Sequence, residues 1–264
     1  MNGVNKTLYI PLYGKAQVSQ KGIILADQKA EEIWKKEQFP LKGKAKSKWL
    51  AYNMAMRARV FDDWTKRQLK EAPNALVLHI GCGMDSRVLR VGTAAGAWYD
   101  IDFSEVIEER RKYYSENDQY HMLCGDASKP AWVESLPEAE ELIVILEGVS
   151  MYLTNDEVRE LFLVLQRKYK HIHLLMDVYT TFGAKASKYK NPINTVGVTQ
   201  LYGMEGPETL MINPEIQFAG EGTMTPQYLV DELKGFEKAF FTWMFTGSVT
   251  KKIYRLFEYF ITQA

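Results

Sequence analysis

The stretch ALVLHIGCGMDS (75–86) decides the fold class of this chain. Its opening run, ALVLHI (75–80), is apolar and stops at Gly81, as is typical of a buried parallel strand. The small residues Gly81 and Gly83 allow the backbone to approach a ligand closely, and a helix that begins after them would offer its N-terminus to negative charge. The stretch therefore predicts a strand, a ligand-binding turn and a helix, in that order.

Further runs along the chain have the length and composition of strands, and helical stretches separate them. These runs are AWYDID (97–102), YHMLC (120–124), ELIVILE (141–147) and HIHLLMDV (171–178). One of the helices begins with a capping box formed by Thr154 and Glu157. Strands that alternate with helices predict an α/β fold with a Rossmann-like, doubly wound and mostly parallel sheet.

The regions on either side of this core differ from it. Apolar residues recur at spacings of three and four from Ala45 to about Glu71, which predicts a long amphipathic helix in an N-terminal helical cap. A later segment rich in Gly and Pro is too long for a simple connection and is predicted to be a lid insertion. A last helix, begun by Thr225 and ended by Gly235, precedes two strand-like runs, KAFFTWM (238–244) and IYRLFEYFI (253–261). These runs predict an antiparallel hairpin that completes a seven-stranded sheet.

We therefore expect a single domain with four parts. They are a cap (1–72), a cofactor-binding core (73–178), a lid (179–223) and a C-terminal helix and hairpin (224–264).

Composition excludes several classes of protein. The 264 residues carry 33 Lys and Arg against 33 Asp and Glu, so the net charge is zero and neither nucleic acid nor an anionic membrane is an expected partner. Two cysteines are too few for a disulfide scaffold, and no histidine pair has metal-ligand spacing, so no metal is expected. The first residues lack the apolar core of a signal peptide, and no apolar run is long enough to span a membrane. We expect a cytoplasmic protein.

Acidic residues follow successive predicted strands, at the edge of the sheet where ligands bind in this class of fold. Asp102 lies about 20 residues after Gly81, the offset at which a carboxylate meets a ribose. Asp126 and Ala127 follow the third strand and suit an adenine amino group, and Glu147 ends the fourth. Together with Gly81 and Gly83, these residues predict a pocket for a ligand that carries adenosine but no pyrophosphate.

S-Adenosylmethionine fits this pocket better than NAD. Ser86 occupies the position of the third glycine in a dinucleotide-binding loop, and acidic residues suit a sulfonium cation but repel phosphates. Two alternatives stay open at this point: an NAD-dependent dehydrogenase, and a non-catalytic protein that binds S-adenosylmethionine as a sensor or scaffold.

Several motifs resemble the leucine carboxyl methyltransferase family of class I S-adenosylmethionine-dependent methyltransferases. They are PLYGKA (11–16), ARVFDD (58–63), LHIGCGMDSRVLR (78–90), WYDIDFSEVIEERR (98–111) and LEGVSMYLT (146–154). The first is similar to the bacterial branch that includes the tetracenomycin polyketide carboxyl methyltransferase. The resemblance covers the chain to about Thr180 and implies cofactor contacts at Arg59, Gly81, Asp102, Asp126 and Glu147, with Lys15 as a further candidate.

Arg59 is also a candidate on helical geometry, because it shares a face with the apolar Tyr52 and Met56. Its guanidinium would hold the methionine carboxylate of the cofactor; a purely structural role is the alternative. We expect an O-methyltransferase that forms a methyl ester on a small-molecule carboxylate, such as a polyketide-like acid. A carboxylate is ionised at pH 7 and needs no general base. Lys15 would steer this anionic acceptor, with Tyr202 of the lid beside it.

Overall fold

The computed structural model describes residues 8–37, 39–41, 43–93, 96–190 and 200–264. Within these ranges the strands are β1 (Leu76–Ile80), β2 (Trp98–Asp102), β3 (Tyr120–Cys124), β4 (Glu141–Leu146), β5 (His171–Tyr179), β6 (Ile216–Gly222) and β7 (Tyr254–Thr262). They form one seven-stranded sheet in the order β3-β2-β1-β4-β5-β7-β6. Strands β1 to β5 are parallel, whereas β7 runs antiparallel to β5 and β6. The predicted α/β fold, with a mostly parallel sheet and an antiparallel C-terminal pair, is confirmed.

Helices cover both faces of the sheet. They are α1 (Tyr9–Gln20), α2 (Gln28–Glu37), α3 (Lys48–Glu71), α4 (Arg87–Val91), α5 (Ser104–Arg110), α6 (Asn155–Lys168), α7 (Thr181–Lys190), α8 (Gln227–Val230), α9 (Gly235–Phe245) and α10 (Ser248–Lys251). Short 3₁₀ turns lie at Gly43–Lys46, Pro130–Ser135, Ser150–Tyr152 and Pro207–Leu210. Because both faces are covered, every residue of β1 is buried, as the apolar run in the sequence predicts.

Two predicted helical features are confirmed. The long N-terminal helix is α3, and its most buried residues include Tyr52, Met56 and Phe61. The capping box at the start of α6 is complete: the Thr154 hydroxyl accepts from the Glu157 backbone N–H at 3.2 Å, and the Thr154 N–H donates to the Glu157 carboxylate at 2.7 Å.

The predicted strand at 238–244 is wrong, because this run lies in helix α9. Its aromatic residues recur at helical spacing: Phe236 packs on Phe240, and Phe240 packs on Trp243, with ring centroids 5.8 and 5.9 Å apart. The helix expected to end at Gly235 is only the short α8, and Gly235 instead begins α9.

The seventh strand is β6, which lies inside the segment predicted as a lid. Its sequence, IQFAGEG, contains two glycines and has low strand propensity. The strand forms only because it pairs along β7, with a register shift between Phe218 and Gly220.

Strand β1 pairs in parallel with β2 on one side and with β4 on the other, so the strand order reverses between β1 and β4. Ligands of open α/β sheets bind beyond the carboxyl ends of the strands at such a point. A ligand site is therefore expected at the turns that follow β1, β2, β3 and β4.

Candidate active site

A cavity of about 620 Å³ lies beyond the carboxyl ends of the strands, at the point where the strand order reverses. This volume is within the range of small-molecule and cofactor sites. Most of the site residues predicted from the sequence line this cavity, namely Lys15, Gly81, Gly83, Asp102, Asp126, Ala127 and Glu147. The structure thus brings together residues that are up to 132 positions apart (147 − 15) in the chain.

The turn after β1 approaches the turn after β4 very closely. Gly81 and Gly83 have φ angles of 69° and 52°, which favour glycine. A Cβ atom at Gly81 would lie 2.2 Å from the Cγ2 atom of Val149. The glycine-rich turn therefore keeps its backbone open to a ligand at a place where no larger residue fits.

The Asp102 carboxylate is fixed at the tip of β2. One oxygen accepts the Gly83 N–H and the other accepts the Phe103 N–H, each at 2.8 Å. Burial raises the pKa of Asp102 to about 6, although both hydrogen bonds favour the ionised form. The carboxylate is thereby oriented beside the glycine-rich turn, where a ribose is expected.

Asp100, two residues earlier, has a different role. It is fully buried and does not line the cavity. Its carboxylate accepts from Trp98 Nε1 at 2.9 Å, from the Tyr120 hydroxyl at 2.7 Å and from the Arg110 guanidinium. Burial raises its pKa, but Arg110, His79 and Tyr120 together outweigh that effect and the pKa falls to about 2. Asp100 is therefore a structural ion-pair partner within the core.

Asp126 shapes the turn after β3 and also lines the cavity. Its Oδ1 accepts the Ser128 N–H at 2.9 Å and the Ser128 hydroxyl at 2.7 Å. These two bonds fix the turn that carries Ala127 along the cavity wall.

Glu147, at the end of β4, is buried between two arginines. Its Oε1 lies 2.9 Å from Arg57 Nε, and its Oε2 accepts from Arg87. Burial raises the pKa of Glu147, but Arg57 and Arg87 together lower it to about 2, so the carboxylate is ionised. Arg57 continues the network through its Nη1, which donates to Asp177 at 3.0 Å and to the Tyr254 hydroxyl at 2.8 Å.

Lys15 also faces the cavity from helix α1. Its Nζ lies 2.9 Å from the Asp85 carboxylate, and both side chains are almost fully buried. Arg90 and Arg87 contact the same carboxylate, and these cations hold the pKa of Asp85 well below its usual range despite burial. One end of the cavity thus has the cations Lys15 and Arg57 next to the anions Asp85 and Glu147.

Arg59 lies outside the cavity, so the predicted contact with the cofactor does not agree with its position. Its Nε pairs with Asp63 at 2.9 Å, and its Nη1 donates to the Ile24 carbonyl at 3.2 Å. It does share a face of α3 with Tyr52, as the periodicity indicates, but that face packs on the chain around Ile24 and on α9. Arg57, about 200° around the helix axis from Arg59, occupies the cavity face.

Tyr202 does not line the cavity either. Its N–H donates to the Met151 carbonyl at 2.8 Å, and its hydroxyl accepts from the Gln200 amide at 2.8 Å. Since Met151 lines the cavity, Tyr202 supports the wall from behind.

Four residues of this site are not among the candidates from the sequence: Arg57, Asp85 and Tyr254, which line the cavity, and Asp177, which contacts Arg57. A signal existed for Asp177, because it lies near the end of β5, as acidic residues do at the ends of β2 and β4. Arg57 and Tyr254 carry no such signal, since their importance depends on which face of α3 and which part of β7 the fold turns toward the cavity.

The described ranges of the chain contain neither a cluster that could hold a metal ion nor a helix that could span a membrane. No group of three His, Cys, Asp or Glu in these ranges could hold a metal ion. No helix in the same ranges combines the length and apolar character needed to cross a membrane.

Solved structures with a similar architecture include methyltransferases. A proposed methyltransferase from Thermobifida fusca matches with a TM-score of 0.58 and 13% identity, over 84% of this chain and 90% of that chain. The magnesium protoporphyrin IX methyltransferase ChlM from Synechocystis PCC 6803, solved with bound S-adenosylhomocysteine, matches with a TM-score of 0.51 and 13% identity, over 88% of this chain and 94% of that chain. The fold is therefore one that methyltransferases adopt.

The family follows from sequence comparison. The model of the leucine carboxyl methyltransferase family matches residues 11–166, and the chain belongs to this family. It is 27% identical over 244 residues to the tetracenomycin polyketide synthesis O-methyltransferase TcmP of Streptomyces glaucescens. This alignment covers 90% of this chain and 89% of TcmP. It is 29% identical over 175 residues to the S-adenosylmethionine-dependent methyltransferase dpfgK of Gibberella zeae, over 60% of this chain and 59% of dpfgK. The methyl donor is S-adenosylmethionine, and the alternative of an NAD-dependent dehydrogenase is set aside.

Proposed function

We propose that this methyltransferase forms a methyl ester on the carboxylate of a small, largely apolar acid. The observation that carries the proposal is the division of the cavity into a charged end and an apolar wall. The charged end comprises Lys15, Arg57, Asp85 and Glu147. The apolar wall includes Leu8, Leu12, Leu50, Met54, Met151, Tyr152, Tyr179 and Ile253.

The groups along the cavity support a site for each part of S-adenosylmethionine. Asp102 faces the position of a ribose, and the turn of Asp126 and Ala127 suits the adenine. The amino-acid tail of the cofactor is a zwitterion, so it needs both cations and anions around it, as Arg57 and Glu147 provide. When bound, the cofactor supplies an electrophilic methyl group on a sulfonium centre.

Arg57, in place of Arg59, is the residue we assign to the cofactor carboxylate. Its Nε and Nη1 are bound by Glu147, Asp177 and Tyr254, whereas its Nη2 makes no hydrogen bond to the described residues. Nη2 lies beside Gly148, where a Cβ atom would approach it to 3.3 Å. A guanidinium nitrogen at a cavity wall is a suitable donor for a carboxylate oxygen.

The histidine at the cavity also favours a carboxylate acceptor, because it is unsuited to act as a general base. Among the described residues that line the cavity, the single histidine is His79. It is 2% exposed, its Nε2 lies 3.1 Å from Arg87 Nη1, and burial lowers its pKa. A histidine held in this way is poorly placed to deprotonate a phenol or alcohol, whereas a carboxylate needs no deprotonation.

The apolar wall supports an acceptor of the polyketide type. TcmP acts in tetracenomycin polyketide synthesis, and this chain shares most of its length with TcmP. Helix α7, near the start of the segment 179–223, contributes Gly183, Ala186 and Ser187 to the wall, so we propose that this helix acts as a lid. Excluding water in this way would leave positioning as the main source of rate enhancement.

The role of Lys15 in steering the acceptor stays a proposal. Its ion pair with Asp85 places it at the charged end, so it could serve either the acceptor or the cofactor. Lys15→Met separates these roles: a rise in KM for the acceptor alone supports steering, and an equal rise in KM for S-adenosylmethionine assigns Lys15 to the cofactor.

The experiment that tests the function is methyl transfer in an extract. The protein is incubated with S-adenosylmethionine labelled in its methyl group and with a bacterial metabolite extract, and the products are treated with mild base. We expect release of labelled methanol, since methyl esters hydrolyse under these conditions. Base-stable label would indicate an ether or amine product and would contradict the proposed methyl ester.

A further inference from the structure

Arg57 is held on two sides by groups from different parts of the fold. Glu147, beyond β4, binds Nε, while Asp177 of β5 and Tyr254 of β7 both bind Nη1. An arginine side chain has many rotamers, and fixing it costs conformational entropy. Its neighbours therefore decide whether Nη2 points toward the cavity before a ligand arrives.

Asp177 is the centre of this arrangement. It is fully buried near the end of β5, and its Oδ1 accepts the Gly148 N–H at 2.7 Å. Its Oδ2 lies 3.0 Å from Arg57 Nη1 and also accepts from the Tyr254 hydroxyl. The same carboxylate thus ties Arg57 both to the turn after β4 and to β7.

Tyr254 combines a hydrogen bond with a position on the cavity wall. Its hydroxyl donates to Asp177 and accepts from Arg57 Nη1 at 2.8 Å, and its ring packs on Tyr179 with centroids 4.7 Å apart. The antiparallel pairing of β5 with β7 places Tyr254 directly opposite Tyr179. The family model ends at residue 166, so both Asp177 and Tyr254 lie beyond the matched region.

We propose that Asp177 and Tyr254 form a positioning pair that holds Arg57 with Nη2 toward the amino-acid tail of the cofactor. This inference rests on the role proposed above for Arg57. The antiparallel strand β7 then does more than extend the sheet, because its first residue completes the site. Neither member of the pair needs to touch the cofactor, and each acts through Arg57.

The test uses Tyr254→Phe, which retains the ring and removes only the hydroxyl. Tyr259→Phe is the matched control: Tyr259 is a buried tyrosine of the same strand, and its hydroxyl donates to the Pro207 carbonyl at 3.0 Å, away from the cavity. Calorimetric titrations compare S-adenosylhomocysteine with 5′-methylthioadenosine, which lacks the amino-acid tail. Melting temperatures report on the fold.

We expect Tyr254→Phe to bind S-adenosylhomocysteine roughly fivefold more weakly, the scale of one hydrogen bond, with methylthioadenosine unchanged. Tyr259→Phe should bind both ligands as the wild type does. In an Arg57→Lys background, Tyr254→Phe should add less than about a twofold effect, because the two residues act through one contact.

Three results would overturn the positioning pair. If Arg57→Lys binds S-adenosylhomocysteine weakly but Tyr254→Phe binds it normally, Arg57 keeps its proposed role and the proposal of a positioning pair is wrong. If Tyr254→Phe weakens both ligands in step with a lower melting temperature, the hydroxyl merely supports the fold. If Arg57→Lys itself binds S-adenosylhomocysteine normally, the proposed role of Arg57 fails first and the pair has nothing to position.

Discussion

Arg57 and Arg59 lie two residues apart on helix α3 and have opposite environments. The Arg57 side chain is 7% exposed and contacts Glu147 and Asp177, while that of Arg59 is 38% exposed and pairs with Asp63 on the same helix. Only Arg57 lines the cavity. Helical periodicity indicates that a face of a helix is buried, but it does not identify what packs on that face. Because α3 is covered on more than one side, its periodicity does not show which face lines the cavity.

A similar contrast separates Asp100 from Asp102 on β2. Both point to the same side of the strand, yet Asp100 is locked in the core by Arg110 and Tyr120, whereas Asp102 lies at the open tip. For the arginines the face of the helix decides which charge lies at the cavity, and for the aspartates the position along the strand decides it.

The largest expected effect is on stability, from Arg57→Ala. This change removes a buried cation from Glu147 and Asp177, so the free energy of unfolding should fall by about 3–5 kcal/mol. Chemical denaturation with urea measures it. A loss as small as that of a surface pair would show that Arg57 is more solvated than its contacts indicate.

Asp102→Ala should act mainly on the ligand. We expect S-adenosylhomocysteine to bind about 2–3 kcal/mol more weakly, since two hydroxyls lose a charged acceptor. Asp100→Ala should instead destabilise the fold, because it leaves Arg110 buried without its partner. Titrations and thermal unfolding of both variants separate the two roles, and equal losses of ligand affinity in two folded variants would mean that the tip of β2 is misplaced.

The pKa of Asp102, raised by burial to about 6, makes ribose binding depend on pH. The ionised form is the better hydroxyl acceptor, so affinity should fall as pH falls through 6, and at pH 5 it should be about tenfold lower than at pH 7. Methylthioadenosine is a suitable probe because only the protein titrates in this range. Asp102→Asn should bind weakly with a flat profile, and a profile as steep as that of the wild type would assign the effect to another group.

The smallest effect is expected for Arg59→Ala. A half-exposed ion pair between residues four apart contributes about 0.2–1 kcal/mol at most, and cofactor affinity should not change. Urea denaturation and titration on the same variant check both statements, and a larger loss of stability would give the Ile24 contact more weight than we assign to it.

How far the sequence predicts this molecule depends on how local the signals are. Strands β1 to β5 lie within one residue of the predicted limits at each end, because buried parallel strands are continuous apolar runs bounded by glycine or charge. The acidic residues at the strand ends were predicted as site residues because the topology brings the carboxyl ends of parallel strands to one edge of the sheet. Strand β6 and helix α9 were not predicted, because β6 depends on pairing with β7 and the aromatic run of α9 favours a strand by composition alone.

The site was predictable in the turns that follow the strands, and Lys15 of α1 came from the family resemblance; residues placed by long-range packing were not predicted. Gly81, Gly83 and Asp102 follow from the order of elements. Arg57 depends on which face of α3 packs over the sheet, and Tyr254 depends on the pairing of β7 with β5; both are set by contacts between distant parts of the chain.

The most direct test of the central claim is titration of Arg57→Lys and Arg59→Lys with S-adenosylhomocysteine and methylthioadenosine. Lys keeps the charge but loses the planar fork, so Arg57→Lys should weaken S-adenosylhomocysteine at least about tenfold, or about 1.4 kcal/mol, and leave methylthioadenosine unchanged. Arg59→Lys should match the wild type with both ligands. If Arg59→Lys loses affinity for S-adenosylhomocysteine and Arg57→Lys does not, the assignment of the cavity face of α3 to the cofactor is contradicted.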